Sequence, residues 1–268
     1  MKKGLTSNSL KIIAIILMVI DHIGLYNYNK LQPDAYYMLR SIGRLAMPIF
    51  VYMIIQGFFY TKNLKKYVFR IFVLATITQI VLFLVGYVNE MYYPNYIVGV
   101  NKYLGVLYSY TLSLILIAII DRKKVIQKLN ESINVIIRIN IFILISLIYL
   151  RFRIEFDLRI PFMFLELYAI EKIFEKDNLL FLKQEFKNKW EIVKRKSIYI
   201  FLILLTFGLS LCYLEYSSGS KYAVLASIIP IIFYNGEKGK SNKFIQSMFY
   251  TIFPLQHFIL YWTGMINF

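Results

Sequence analysis

Cysteine is almost missing from this chain: 268 residues hold one, Cys212, so no intrachain disulfide is possible. Histidine is nearly as scarce, at two, and no metal site is expected. There is no internal repeat, no Gly- or Ser-rich linker and no low-complexity tract, so residues 1–268 read as a single membrane-embedded domain. Acidic residues are few, 15 against 31 basic, which leaves a formal charge of +16. An excess of that size raises nucleic acid as a partner. Here, however, the cations sit in short loops between apolar runs, so the lipid bilayer is the expected partner and nucleic acid is not.

What the chain does have is apolar surface. Hydrophobic residues make up 59% of it, with 22 Phe and 23 Tyr, more than a soluble domain of this size requires. The runs recur at bilayer length and predict an all-α, polytopic transmembrane helix bundle of about nine spans (8–10). They cover Leu10–Tyr28, Ile42–Tyr60, Tyr67–Val88, Leu104–Ile120, Ile133–Leu150, Ile160–Phe174, Ile198–Leu214, Tyr222–Tyr234 and Phe244–Ile266. The sixth and eighth are short enough to be re-entrant. Lys2 and Lys3 ahead of an apolar stretch resemble a signal peptide. Asp21 and His22 interrupt that stretch, though, and no small-residue cleavage site follows, so a retained first helix is expected.

Numbering the loops alternately, with the N-terminus in the cytoplasm, puts 21 basic residues inside and 8 outside. A split that strong supports an N-terminus inside and an odd number of crossings. A cytoplasmic amphipathic segment is expected near residues 175–196, where Leu179, Leu182, Phe186 and Trp190 fall on one helical face.

Ionisable groups at membrane depth are costly and need a partner or a water-filled cavity. Asp21 and His22 are the sharpest case. Adjacent helical residues point about 100° apart, so each needs its own partner. Asp21 suits Arg44, at the outer start of the second span, which leaves His22 to face a substrate. In the last span Tyr250, Pro254, His257 and Tyr261 share a face. Arg44, His257 and Asp157–Arg159 all fall toward the outer side. The plainer readings are a satisfied helix contact for either histidine, snorkelling for Arg44, and a polar anchor for Glu166. Thr76 and Gln79 share a face and suit interhelical hydrogen bonding. Cys212 has nothing beside it in sequence to activate it as a nucleophile.

These residues carry a resemblance. Leu10–Ala14, Met18, Asp21–Gly24, Ile42–Phe50, Gly57–Phe58, Thr61–Arg70, Tyr234–Gly239 and Pro254–His257 together make the chain similar to the TraX family of bacterial membrane proteins. The likeness covers most of the chain. It loosens in the middle, where the family's Asp-Tyr-Gly after the fifth span reads Asp157-Leu158-Arg159.

The resemblance implies a multi-pass protein of the inner (cytoplasmic) membrane with acetyltransferase activity. The family acts in N-terminal acetylation of the F-type pilin, with acetyl-CoA as donor and a pilin-like peptide or envelope component as acceptor. On that footing His22 is the candidate base, with His257 second. Asp21 orients Arg44 toward developing negative charge, and Asp157 lies on the acceptor side. Lys62, Lys65, Lys66 and Arg70, with the Tyr234–Gly239 turn through Tyr234, Asn235 and Lys238, are candidates for the phosphates of CoA. The positive-inside rule explains the same lysines without a ligand. Two other readings stay open: a non-enzymatic scaffold for pilus or envelope assembly, and a small-molecule transporter.

Overall fold

The structure, a computed structural model, describes residues 4–92, 104–121, 130–152, 154–174, 189–212, 223–239 and 243–265. It is 84% helical and holds no strand among the described residues. The helices are α1 (Ser7–Tyr26), α2 (Pro33–Gly43), α3 (Ala46–Tyr60), α4 (Leu64–Tyr92), α5 (Val106–Ile120), α6 (Glu131–Phe152) and α7 (Arg159–Ile173). After them come α8 (Lys189–Cys212), a 3-10 turn (Val224–Ser227), α9 (Ile228–Ile232) and α10 (Lys243–Met265).

Among the described residues four segments are long and apolar enough to cross a membrane: Ser7–Tyr26, Pro33–Tyr60, Leu64–Tyr87 and Glu131–Phe152. Val106–Ile120 and Lys196–Leu209 are apolar but shorter. Their surfaces invert the soluble pattern. On α6, Ile136, Leu144, Leu147 and Leu150 are each more than half exposed, while Asn134 is fully buried. An apolar stripe of that kind, on a helix whose own backbone bonds are closed, is a lipid face. The chain is a membrane protein.

Most of the predicted apolar runs are helices with shifted ends, and two change in kind. The second was expected at Ile42–Tyr60. The helix instead begins at Pro33, whose ring suits the first helical position, and is broken at Arg44–Leu45. Pro48 explains the break: it has no N–H to bond the carbonyl of residue 44, and its ring clashes with that carbonyl. The eighth span, Tyr222–Tyr234, is a 3-10 turn followed by the five residues of α9. Together they rise about 15 Å, half of a hydrocarbon core. The amphipathic segment expected near 175–196 lies outside the described residues up to 188. From Lys189 onward it is the first part of α8, continuous with the seventh span.

Two compact units divide the chain. One takes Met1–Met53, Glu166–Ile252 and Ile259–Phe268; the other takes Ile54–Leu165 and Phe253–Phe258. The first unit is organised around α1. Thr6 caps this helix, its side chain accepting from the Ser9 amide. The next two amides, of Ser7 and Asn8, donate to the carbonyls of Glu237 and Lys238 at 2.8 and 3.2 Å. Those bonds and the Leu5–Tyr234 bridge tie the start of α1 to the turn after α9. The turn closes only because Gly239, at φ +80°, has no side chain where Thr6 lies.

The second unit is held by polar side chains that complete backbone accounts. Gln79 Oε1 accepts the Gly105 amide at 2.8 Å, and Glu155 Oε2 accepts the Val106 amide at 3.1 Å, which together satisfy the start of α5. Tyr108 donates to Thr76 at 3.2 Å, so both Thr76 and Gln79 make the interhelical bonds expected of them. At the centre the Tyr149 hydroxyl lies 2.8 Å from Ser109 Oγ and 3.2 Å from Ser113 Oγ. It also donates to the Ser109 carbonyl at 2.8 Å, beside a core of Leu116, Ile145 and Ile154. We expect Tyr149→Phe to cost about 1–2 kcal/mol, because one phenol serves both serines in a water-poor interior. A thermal unfolding curve in detergent measures it, and an unchanged midpoint would show the network to be incidental.

Candidate functional site

The α1–α2 hairpin builds the site. The two helices run antiparallel, with Gly43 of α2 opposite Asp21 and Gly24 of α1 opposite Arg40. A Cβ on Gly43 would overlap the Cβ and Cα of Asp21, and one on Gly24 would meet the Leu39 and Arg40 side chains. Small residues at these positions let the two backbones approach, as they do where membrane helices cross closely.

At that crossing Arg40 Nη1 lies 2.5 Å from Asp21 Oδ2, with the two side chains only 15% and 14% exposed. The same nitrogen donates to the Asp21 main-chain carbonyl at 3.3 Å. At 1.5 Å per residue, Asp21 is about 21 Å from the start of α1, beyond its midpoint. The expected partner of Asp21 was Arg44, and this is corrected: the bonded partner is Arg40. Arg40 lies inside α2, on the face that meets α1 at Gly43, whereas Arg44 is the residue at which α2 breaks off. Arg44 still acts on the Asp21 carboxylate through its charge.

His22 is half-buried, its ring 6.5 Å from that of Tyr26 on the next turn. Tyr26 in turn meets Tyr261 of α10 edge-on at 6.3 Å, both rings being buried. Met18 and Ile15, one and two turns before His22, are buried. On the last helix Tyr261 and His257 are buried, but Tyr250 is 39% exposed, so the four-residue face is only partly inward.

The remaining candidates fall into three places. Lys62 lies in the α3–α4 loop, Lys65 and Lys66 in the first turn of α4, and Arg70 a turn on, all exposed. Asn63 caps this helix by accepting the Lys66 amide at 3.0 Å, and its first turn holds no acid. Cations at the positive end of a helix oppose its dipole, and an anion placed there relieves both. Tyr234, Asn235 and Lys238 lie in the turn after α9. The amides of Tyr234, Asn235 and Glu237 are already bonded, to Ile231, Leu5 and the Asn235 side chain. The turn therefore offers a phosphate the exposed Lys238 ammonium rather than a cradle of amides. Asp157 is exposed at φ 46°, after Phe156 at φ 64°, and lies 4.0 Å from Arg159. His257 and Asp157, like the Lys62–Arg70 group, belong to the second unit.

Sequence reading missed Arg40 and Gly43 as site residues and placed Tyr261 only on the face of the last span. Arg40 lay outside the predicted span and was counted as a loop cation. Its signal is the Arg-x-x-Gly spacing, which puts a long cation and a bare backbone on one face.

These features define a helical membrane protein whose first hairpin carries a paired carboxylate and guanidinium beside a histidine. The family described as TraX protein matches residues 6–263, and the chain belongs to the TraX family. Among curated proteins, a probable fimbrial assembly protein FimC, serogroup H1, of Dichelobacter nodosus is 37% identical over 70 residues. That stretch is 26% of this chain and 28% of the relative. The uncharacterized protein RP591 of Rickettsia prowazekii (strain Madrid E) is 46% identical over 50 residues, 19% of this chain and 18% of the relative. The chain thus spans less than a third of either relative in these matches. No solved structure matches it.

We expect Gly43→Ala to lower stability by about 1–3 kcal/mol, since the added methyl meets the backbone of α1 rather than a movable side-chain tip. Thermal unfolding of the purified variant beside the parent is the check, and an equal midpoint would contradict the close crossing.

Proposed function

We propose that the protein is a membrane-embedded acetyltransferase that moves an acetyl group from acetyl-CoA to an amine or hydroxyl of a pilin-like peptide or envelope component. The observation that carries this reading is the Asp21–Arg40 pair beside His22, far along the first helix of a TraX family member. Charged groups held at membrane depth mark function more often than architecture.

Acetyl-CoA, when bound, supplies an acyl group already activated as a thioester. The chain's residues supply the rest. His22 takes the proton of the incoming amine or hydroxyl as that atom bonds the acyl carbon. The carbon–sulfur bond breaks, and the departing thiolate takes up a proton. Asp21, Arg40 and Arg44 together carry a net positive charge, which favours the negative charge developing on the thioester oxygen. Lys238, at the end of α1 remote from His22, and the Lys62, Lys65, Lys66 and Arg70 group suit phosphates. His257 is the second candidate base, and Asp157 stays a candidate on the acceptor side.

The reading includes about nine crossings with the N-terminus in the cytoplasm of the inner membrane. The name of the Dichelobacter relative favours the scaffold reading as the alternative. A scaffold tolerates loss of His22 while keeping its partners, whereas an enzyme does not.

Three measurements test this. His22→Ala is expected to stay monodisperse while turnover of acetyl-CoA falls by roughly 10²–10⁴-fold. Near-normal turnover in that variant would remove His22 as the base and shift the assignment to His257. Charge reversal at Lys65 and Lys66 together is expected to raise the KM for acetyl-CoA more than it lowers kcat, the pattern of binding lost equally from ground and transition states. Unchanged saturation would return these lysines to topology alone. For sidedness, single cysteines at Asn29 and Lys65 in a Cys212→Ser background are expected to label from outside and inside respectively, and the reverse pattern would invert the topology.

A further inference from the structure

We infer that Arg40 is a positioning residue for His22, acting through a two-point grip on Asp21; the inference rests on the acetyl-transfer reading. An arginine that bonded only the carboxylate would neutralise a charge and leave the helix free to rotate or slide. Arg40 Nη1 reaches the carboxylate Oδ2 at 2.5 Å and the Asp21 main-chain carbonyl at 3.3 Å, so it holds side chain and backbone together. Its stem passes over Gly24, where an added Cβ would lie 3.4 Å from Arg40 Cδ and 3.6 Å from Cγ. Gly43, on the same helix, abuts Asp21 where any side chain would collide with it. Rise and rotation of α1 are therefore set at residue 21, and His22 is the next residue. Its ring then has Tyr26 beside it to limit its swing.

The pair is also the arrangement that lets an ionised carboxylate persist at this depth, since an unpaired one is strongly disfavoured. Arg44 also acts on the same carboxylate through its charge, after Arg40. The backbone contact belongs to Arg40, and it is this contact that gives Arg40 a role in geometry.

The test uses the full-length protein in one detergent, with Arg40→Met, Arg40→Lys, Arg44→Met, Asp21→Asn and the double variants. For each, thermal unfolding is measured beside kcat and KM for acetyl-CoA. Arg40→Met is expected to lower kcat by about 10–100-fold, the scale of a small misplacement of a catalytic group. Its KM is expected to stay within about twofold, and Arg40→Lys is expected to recover part of the loss. In unfolding, Asp21→Asn and Arg40→Met are expected to be non-additive, and more strongly so than Asp21→Asn with Arg44→Met. A folded Arg40→Met or Arg40→Lys protein with parental kcat would overturn the positioning role. Additive unfolding effects at residues 21 and 40, or stronger coupling of Asp21 to Arg44, would overturn the grip. Absence of turnover from the parent protein would instead defeat the acetyl-transfer reading and the positioning role with it. The unfolding cycle would then still decide the pair.

Discussion

A carboxylate inside a membrane helix is the constraint around which the first third of this chain is arranged. Left alone, Asp21 would give up its charge or draw water into the bilayer. The chain answers with a guanidinium on the neighbouring helix, and that answer has geometric consequences. To bring a side chain of α2 onto Asp21 the helices have to run close, and closeness requires Gly43 and Gly24 at the crossing. Because Pro48 interrupts the helix at Arg44–Leu45, α2 ends beside Asp21 and α3 starts afresh. Non-helical backbone at membrane depth persists only where protein covers it or a cavity lies against it, so the break belongs with the polar pair.

The rest of the molecule obeys the same accounting on a smaller scale. Several helix starts have amides placed by side chains or turns. The α1 amides go to Thr6 and to the 233–239 turn, the α5 amides to Gln79 and Glu155, and a first-turn amide of α4 to Asn63. On α6 the buried Asn134 lies inside, while Ile136, Leu144, Leu147 and Leu150 face outward. The buried Ser109, Ser113 and Tyr149 set therefore contributes specificity to the second unit that apolar packing against equally apolar lipid would not.

Much of this was legible in the sequence, and the failures have physical causes. Apolar run lengths found the helices, and the i, i+3 spacing of Thr76 and Gln79 correctly placed both on an interhelical face. The order of motifs along the chain pointed to the family that the match over residues 6–263 bears out. Arg40 was misread because hydropathy places a helix end where charge begins, and α2 carries Asp34 and Arg40 within its length. A charge that is paired across a hairpin does not end a helix, but a window over one strand of sequence has no way to see the pairing. The eighth run failed for the opposite reason. Its residues are apolar enough to span, yet Pro230 withholds the N–H that would bond residue 226, and a 3-10 turn takes the place of the helix there. The Tyr234–Gly239 turn looked like an anion cradle because glycine and asparagine suit one. The same residues suit closure of the chain on itself: the Asn235 amide goes to Leu5, and those of Tyr234 and Glu237 are used within residues 231–237.

On the acetyl-transfer reading, α1 acts as a ruler. Its first turn is clamped to the loop that bears Lys238, and His22 lies on the same helix about 22 Å away. A donor whose phosphates rest near that lysine has to present its acyl group at the far end of a long, thin arm. Acyl-CoA has that shape, with charge at one end and the thioester at the other. A rigid helix fixes the separation without help from loops, provided that its rotation is fixed as well. The clamp at Thr6–Asn8 sets one end, and the grip of Arg40 on Asp21 sets the other. A helix held at two points can neither slide nor turn, and for a single histidine acting at a distance from the water-exposed end of its cofactor, that is the mechanical requirement.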